Sequence, residues 1–183
     1  MADEYLKPYL DSSVFIAWLR GEPGRHHIAA HILEDAQKGT HPIIISALTF
    51  AEVHKVKGDG KPHLTPAENE KVLDYFEHDF FRVVDVDRVI GEEANRFCRT
   101  YNIKPNDAIH LACALRAKCD VLLFWDRPFI AAVKHNAIRI EEPQITSAQQ
   151  LTLLPPSTGK VEDAAPASQL LKPLDNEPPQ PTE

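Results

Sequence analysis

Short runs of consecutive apolar residues alternate along this chain with longer stretches in which apolar residues recur every three or four positions. The first pattern predicts buried strands and the second predicts amphipathic helices. Strands are expected over 8–11, 43–46 (Ile43-Ile44-Ile45-Ser46), 81–84 (Phe81-Arg82-Val83-Val84), 121–124 (Val121-Leu122-Leu123-Phe124) and, from a less apolar run, 138–140. Helices are expected over 13–20, 25–38, 48–56, 66–78, 88–101, 106–118 and 127–134. Pro66, directly after Thr65, suits the first position of its helix. In "PNDAIHLACALRAK", Ile109, Ala112, Cys113 and Arg116 share one stripe, with Ala108, Leu111 and Leu115 beside it. So broad an apolar surface predicts a helix covered by its neighbours. Strands alternating with helices predict a short parallel sheet with helices on both faces, a three-layer α/β/α fold.

The pattern ends near residue 150. From Pro155 the chain reads "PPSTGKVEDAAPASQLLKPLDNEPPQPTE", rich in proline and without periodicity. The expected organisation is therefore a folded domain over 1–150 and an acidic, disordered tail over 151–183. Leu170 and Leu171 could form a docking motif, but composition favours an inert tail. The net charge of −7 argues against nucleic-acid binding. Residues 155–183 hold two lysines and five acids, a net of −3, which leaves −4 for residues 1–154. A body so mildly acidic can still present a local basic surface. Cys98, Cys113 and Cys119 form no CxxC pair and read as small hydrophobes in a reducing compartment. No secretory leader is expected from "MADEYLKPYLD", and no apolar run is long enough for a membrane span. A cytoplasmic location is expected.

In open parallel sheets, ligands bind beyond the carboxyl ends of the strands. Asp11 ends the first predicted strand and Asp126 lies just past the fourth. Glu52 falls in the helix after strand 43–46, and Asp107 in the first turn after Pro105. Each acid has a structural explanation. Asp11 suits an N-cap, Thr49 and Glu52 match a capping box, Asp107 complements a helix dipole, and Asp126 suits the start of the next helix. Four acids at corresponding ends of predicted elements are harder to explain singly. Converging carboxylates repel one another unless a cation lies among them, and hard divalent cations prefer such oxygen donors. A cation of this kind activates water and offsets charge on a leaving oxygen.

The four stretches that carry these acids resemble the motifs of the PIN-domain family, and within it the VapC-like ribonuclease toxins. "YLDSSVFI" resembles the first motif, "ISALTFAEV" the second, "PNDAIHLACAL" the third and "VLLFWDRPF" the fourth, in the family's order over about residues 8–140. The resemblance implies a PIN-like fold over 1–150 and an endoribonuclease dependent on Mg²⁺ or Mn²⁺. It also implies a small antitoxin as partner and a homodimer. Metal binding and catalysis fall to Asp11, Glu52, Asp107 and Asp126, with support from the Ser12 hydroxyl. One position departs from the family. Members often carry Thr or Ser two residues before the fourth acid, where this chain has Phe124. A polar contact is then missing, or supplied by Ser13 or Asn106, with lower activity or a looser metal as the consequence.

Other residues offer chemistry of their own. His27 and His31 have the helical spacing of a zinc pair but lack a third ligand, so a solvated helix face is the simpler reading of His26, His27 and His31. His110, three residues after Asp107, suits packing better than substrate contact. Lys55, Lys57 and Lys61 surround "GDG" and could hold RNA phosphates, as could Arg127, Arg20 and Arg116. Trp18 and Trp125 could stack bases, although core packing is the default. Two alternatives to the nuclease stand. One is a metal-dependent phosphatase, for which the second Asp expected two residues after Asp11 is replaced by Ser13. The other is a non-catalytic binding protein of the same fold, for which Phe124 is the argument.

Overall fold

The structure is a computed structural model and describes residues 7–54 and 63–145. Lys55, Lys57 and Lys61, the boundary at residue 150 and the Leu170-Leu171 pair lie outside the described residues. The strands are β1 (Pro8–Leu10), β2 (Ile43–Ser46), β3 (Phe81–Val84), β4 (Val121–Leu123) and β5 (Arg139–Glu141). All pair in parallel, in the order β3-β2-β1-β4-β5. The helices are α1 (Ser12–Leu19), α2 (His26–Gln37), α3 (Ala47–Glu52), α4 (Pro66–Phe76), α5 (Arg88–Tyr101), α6 (Pro105–Arg116) and α7 (Arg127–Ala132). None of the described helices is long and apolar enough to cross a membrane.

Side chains alternate across each strand, and here both faces are apolar. Tyr9, Ile44 and Leu122 join Ala108, Leu111 and Phe97 in one core cluster beneath α5 and α6. Leu10, Ile43, Ile45 and Phe81 join Phe15, Leu33 and Phe76 in the other, beneath α1, α2 and α4. The result is the α/β/α sandwich that the apolar pattern predicts. Because β2 and β4 flank β1 on opposite sides, the chain reverses its direction of winding at β1. That reversal opens a crevice at the carboxyl ends of the strands.

Two local expectations fail. The helix expected over 48–56 starts at Ala47 and stops at Glu52, where Val53 leaves helical geometry (ψ 57°) and buries its side chain. The Thr49–Glu52 capping box does not form, because the N-cap is Ser46 and Thr49 lies inside the helix, fully buried. A capping box does form at α4. There Thr65 Oγ1 accepts from the Glu68 N–H at 3.3 Å and Glu68 Oε2 accepts from the Thr65 N–H at 2.7 Å. Thr65→Ala is expected to cost about 1 kcal/mol, read as a lower urea midpoint with unchanged slope.

Candidate functional site

Asp11 stands at the last turn of chain before α1 because β1 ends at Leu10 and the Asp11 N–H donates to Leu123 O of the adjacent strand (3.1 Å). Its Oδ1 accepts from the Ser13 N–H at 2.8 Å, so Asp11 is also the N-cap of α1. Asp126 caps α7 in the same way, accepting from the Phe129 N–H at 3.0 Å. The capping explanations of these two acids are thus correct and do not exclude a second role, since a cap fixes the carboxylate it uses. Glu52 is the last residue of α3, and Asp107 lies in the first turn of α6. All four acids and Ser12 line one cleft of about 540 Å³ at the carboxyl edge of the sheet.

Glu52 is held from three sides. Ser12 Oγ donates to Oε2, His110 Nε2 donates to Oε2 at 2.8 Å, and Asn106 Nδ2 donates to Oε1 at 2.7 Å. Asn106 thus supplies a polar contact on the site, as one of the two alternatives to a hydroxyl at position 124 anticipates. Phe124 itself is buried and stacked on Phe129 at 4.4 Å between centroids. Its apolar side chain belongs to the core. Ser13 contributes its backbone N–H to Asp11, and its Oγ lies 3.5 Å from the Trp125 N–H.

His110 is the residue that sequence reasoning undervalues. It is buried, as expected of a packing histidine, yet both ring nitrogens are engaged. Nδ1 shares a 2.8 Å hydrogen bond with the hydroxyl of fully buried Tyr9, and Nε2 lies 3.3 Å from Asp11 Oδ2. Its spacing from Asp107 on α6 is the one signal in the sequence. The partner that decides its role, Glu52, lies 58 residues away.

The charges do not balance. Burial works against ionised Glu52, but the hydrogen bonds from His110 and Ser12 outweigh it and lower its pKa. Burial likewise disfavours a charged His110, and the Glu52 hydrogen bond with the Asp11 charge outweighs it, raising its pKa. Each group thus favours the charged form of the other, and one imidazole serves several carboxylates. Burial raises the pKa of Asp11 despite His110 and Ser13. Burial, then the charges of Asp11 and Asp126, push Asp107 up to about 6. One polar atom from each of Asp11, Glu52 and His110 lies within 4.8 Å of the others. With His110 Nε2 donating to Glu52, the lone pairs open to a cation are those of the carboxylates. Carboxylate oxygens with unmet negative charge suit a hard divalent ion.

The remaining expectations divide. Arg127 is exposed and paired with Glu142 at 2.7 Å, outside the lining of the cleft. Arg20 pairs with Glu22 and Arg116 with Asp87. The histidines of α2 do not form a solvated face. His31 is buried, 3.6 Å from Asp35, and His26 Nδ1 donates to Trp18 O at 2.8 Å, because α2 packs against α1. Only His27 of the three is exposed.

Comparison with known proteins agrees with this fold. The family profile described as PIN domain matches residues 9–134, more than half of the chain. Among solved structures, a toxin–antitoxin complex from Klebsiella pneumoniae aligns with 18% identity over 75% of this chain and 98% of that chain, TM-score 0.55. The sarcin-ricin loop cleaving toxin VapC20 of Mycobacterium tuberculosis aligns with 16% identity over 73% and 99%, TM-score 0.56. VapBC2 of Rickettsia felis, bound to a fragment of its promoter DNA, aligns with 16% identity over 75% and 98%, TM-score 0.52. At such identities the likeness is one of fold. No curated protein matches the sequence.

Proposed function

Because the chain belongs to the PIN-domain family, we propose that it is a metal-dependent endoribonuclease and the toxin of a toxin–antitoxin pair. Asp11, Glu52, Asp107 and Asp126 are the carboxylates assigned to Mg²⁺ or Mn²⁺, and Ser12 supports them. The observation that carries this reading is the gathering of four mutually repelling carboxylates along one cleft. A resident divalent cation would relieve that repulsion, activate water and offset charge on the leaving oxygen of a phosphodiester.

The chain's own residues supply the preorganisation. Asp11 and Asp126 are fixed by the backbone donors they cap. Glu52 is fixed by Ser12, Asn106 and His110, so its carboxylate keeps one orientation before substrate arrives. Donors held in advance cost no reorganisation during the reaction. A small antitoxin is a proposed protein partner, since similar folds occur in solved toxin–antitoxin complexes, and a second copy of the chain is proposed on the family resemblance alone. The proposed domain ends near residue 150, with the acidic tail outside the nuclease, and the proposed compartment is the cytoplasm.

The purified protein, free of antitoxin, should cut RNA with Mg²⁺ or Mn²⁺ and leave 5′-phosphate ends. Cutting that continues undiminished in excess chelator would overturn the reading. The non-catalytic alternative, a binding protein of the same fold, draws on the buried Phe124 and predicts no metal-dependent cutting at all. Hydrolysis of phosphate monoesters without RNA cutting would favour the phosphatase.

A further inference from the structure

The residues lining the cleft are of two kinds. Some are the acids and their polar neighbours. The others are apolar: Ile16 of α1, Leu48 and Ala51 of α3, and Phe124 and Trp125 at the exit of β4. Cation binding requires no such apolar lining. Phe124 is explained by its stacking on Phe129, whereas Trp125 packs against the core with only part of its side chain. It is half-buried, lines the cleft, and immediately precedes Asp126. The guanidinium of Arg25 lies 5.2 Å from the centroid of its ring, and the Arg25 side chain keeps 46% of its surface exposed. The other tryptophan differs on each point. Trp18 is 4% exposed and packs on Tyr75 with ring centroids 5.0 Å apart.

We propose that Trp125, backed by Arg25, is the platform on which an unpaired nucleobase of the RNA stacks, beside the phosphate held at the carboxylates. The proposal rests on the nuclease reading and adds to it how substrate is chosen. An indole face accepts the π-face of any base, and a guanidinium over the ring backs one face of it. A base in a duplex has both faces covered by its neighbours and cannot use the platform without leaving the stack. The cleft volume falls in the range of pockets that enclose small ligands, which suits a nucleotide in contact with acids and apolar residues alike. The arrangement also gives a function to a net acidic protein. Selection comes from a flat aromatic surface and not from a broad basic patch. Arg25 is itself paired with Glu22 at 3.4 Å, so its plane contributes more than its charge.

Trp125 reports on its own occupancy. Short, labelled, single-stranded RNA of mixed sequence should quench indole emission in Ca²⁺, with gels confirming that the RNA stays intact. The same sequence as a duplex should bind more weakly and quench little. Trp125→Ala should lower affinity for the single strand on the order of ten-fold, read by anisotropy of the label. Trp125→Phe should lose the quench but fall less in affinity, because a smaller ring still stacks. Arg25→Gln should fall between the parent and Trp125→Ala. In Mg²⁺ or Mn²⁺, Trp125→Ala should raise KM with kcat changed much less, the signature of lost binding without lost chemistry. Equal affinity of the parent and Trp125→Ala, or an unquenched indole in the bound parent, overturns the platform while metal-dependent cutting stands. Failure of the parent to bind or cut any RNA overturns the platform and the nuclease together.

Discussion

Asp107→Asn is expected to stabilise the metal-free protein at neutral pH, by about 1–2 kcal/mol, while removing RNA cleavage. Burial and the charges of Asp11 and Asp126 hold the Asp107 carboxyl at about 6, against an ordinary value of 3.8. Between these values the folded protein keeps a proton that the unfolded chain has released. Stability therefore falls as pH rises through that window and levels off above it. The figure is discounted for the water that reaches this partly exposed carboxyl. Asn keeps the shape and an acceptor but carries no charge, so its stability should lack the decline. Parent and variant should match at about pH 4 and separate at about pH 7. Added Mg²⁺ should raise the melting temperature of the parent by mass action, and that of the variant much less. If Asp107 only complemented the dipole of α6, the substitution would instead cost a few tenths to about 1 kcal/mol, with or without metal. Melts at both pH values, with chelator and with Mg²⁺, separate the cases. A destabilised variant that still cuts RNA returns Asp107 to an ordinary first-turn acid.

The sheet was legible because its inner strands, β1, β2 and most of β4, are buried on both faces. Ile43–Ser46 and Phe81–Val84 coincide with the predicted runs, β1 and β4 each stop one residue short, and β5 is shifted by one residue. Helix α5 was legible at both ends because local chemistry marks them, Asp87 as the N-cap and Asn102 in the left-handed region that closes the helix. Helix α3 was not. Its C-terminus is set by the burial of Val53 in a core assembled from distant segments, a tertiary effect that leaves no local mark. The Thr49–Glu52 spacing misled for the same reason, since the capping-box pattern is local and the helix begins where β2 ends. The acids were legible from position, because the ends of parallel strands can be found in sequence and their neighbours then meet in space. The role of His110 was not, because a histidine on an apolar stripe reads alike whether it packs or bonds.

His110→Asn should therefore decide what that imidazole does. The ring is 1% exposed and engages Glu52 at 2.8 Å, Tyr9 at 2.8 Å and Asp11 at 3.3 Å. Asn is smaller and uncharged, so the substitution leaves a void, an unpartnered Tyr9 hydroxyl and two carboxylates without their nearest cation. Loss of hydrogen bonds at a buried, charged site predicts a cost of about 2–4 kcal/mol in the metal-free protein. Tyr9→Phe removes one hydroxyl from the same network and should cost only about 1 kcal/mol. The sign of the pH dependence follows from the raised pKa of His110. Its contribution is complete below the ordinary histidine value of 6.5 and fades as pH rises through the higher folded-state value, so the variant's deficit should be largest in mild acid. Metal is the sharper discriminator. If the imidazolium stands in for missing positive charge between Asp11 and Glu52, saturating Mg²⁺ should restore part of the variant's lost stability, beyond what it adds to the parent. A ring that merely fills space predicts the same deficit with and without Mg²⁺, because a void is indifferent to charge. An unchanged deficit across both pH and Mg²⁺ would remove His110 from the electrostatics of the cleft and leave Ser12 and Asn106 as the residues that orient Glu52.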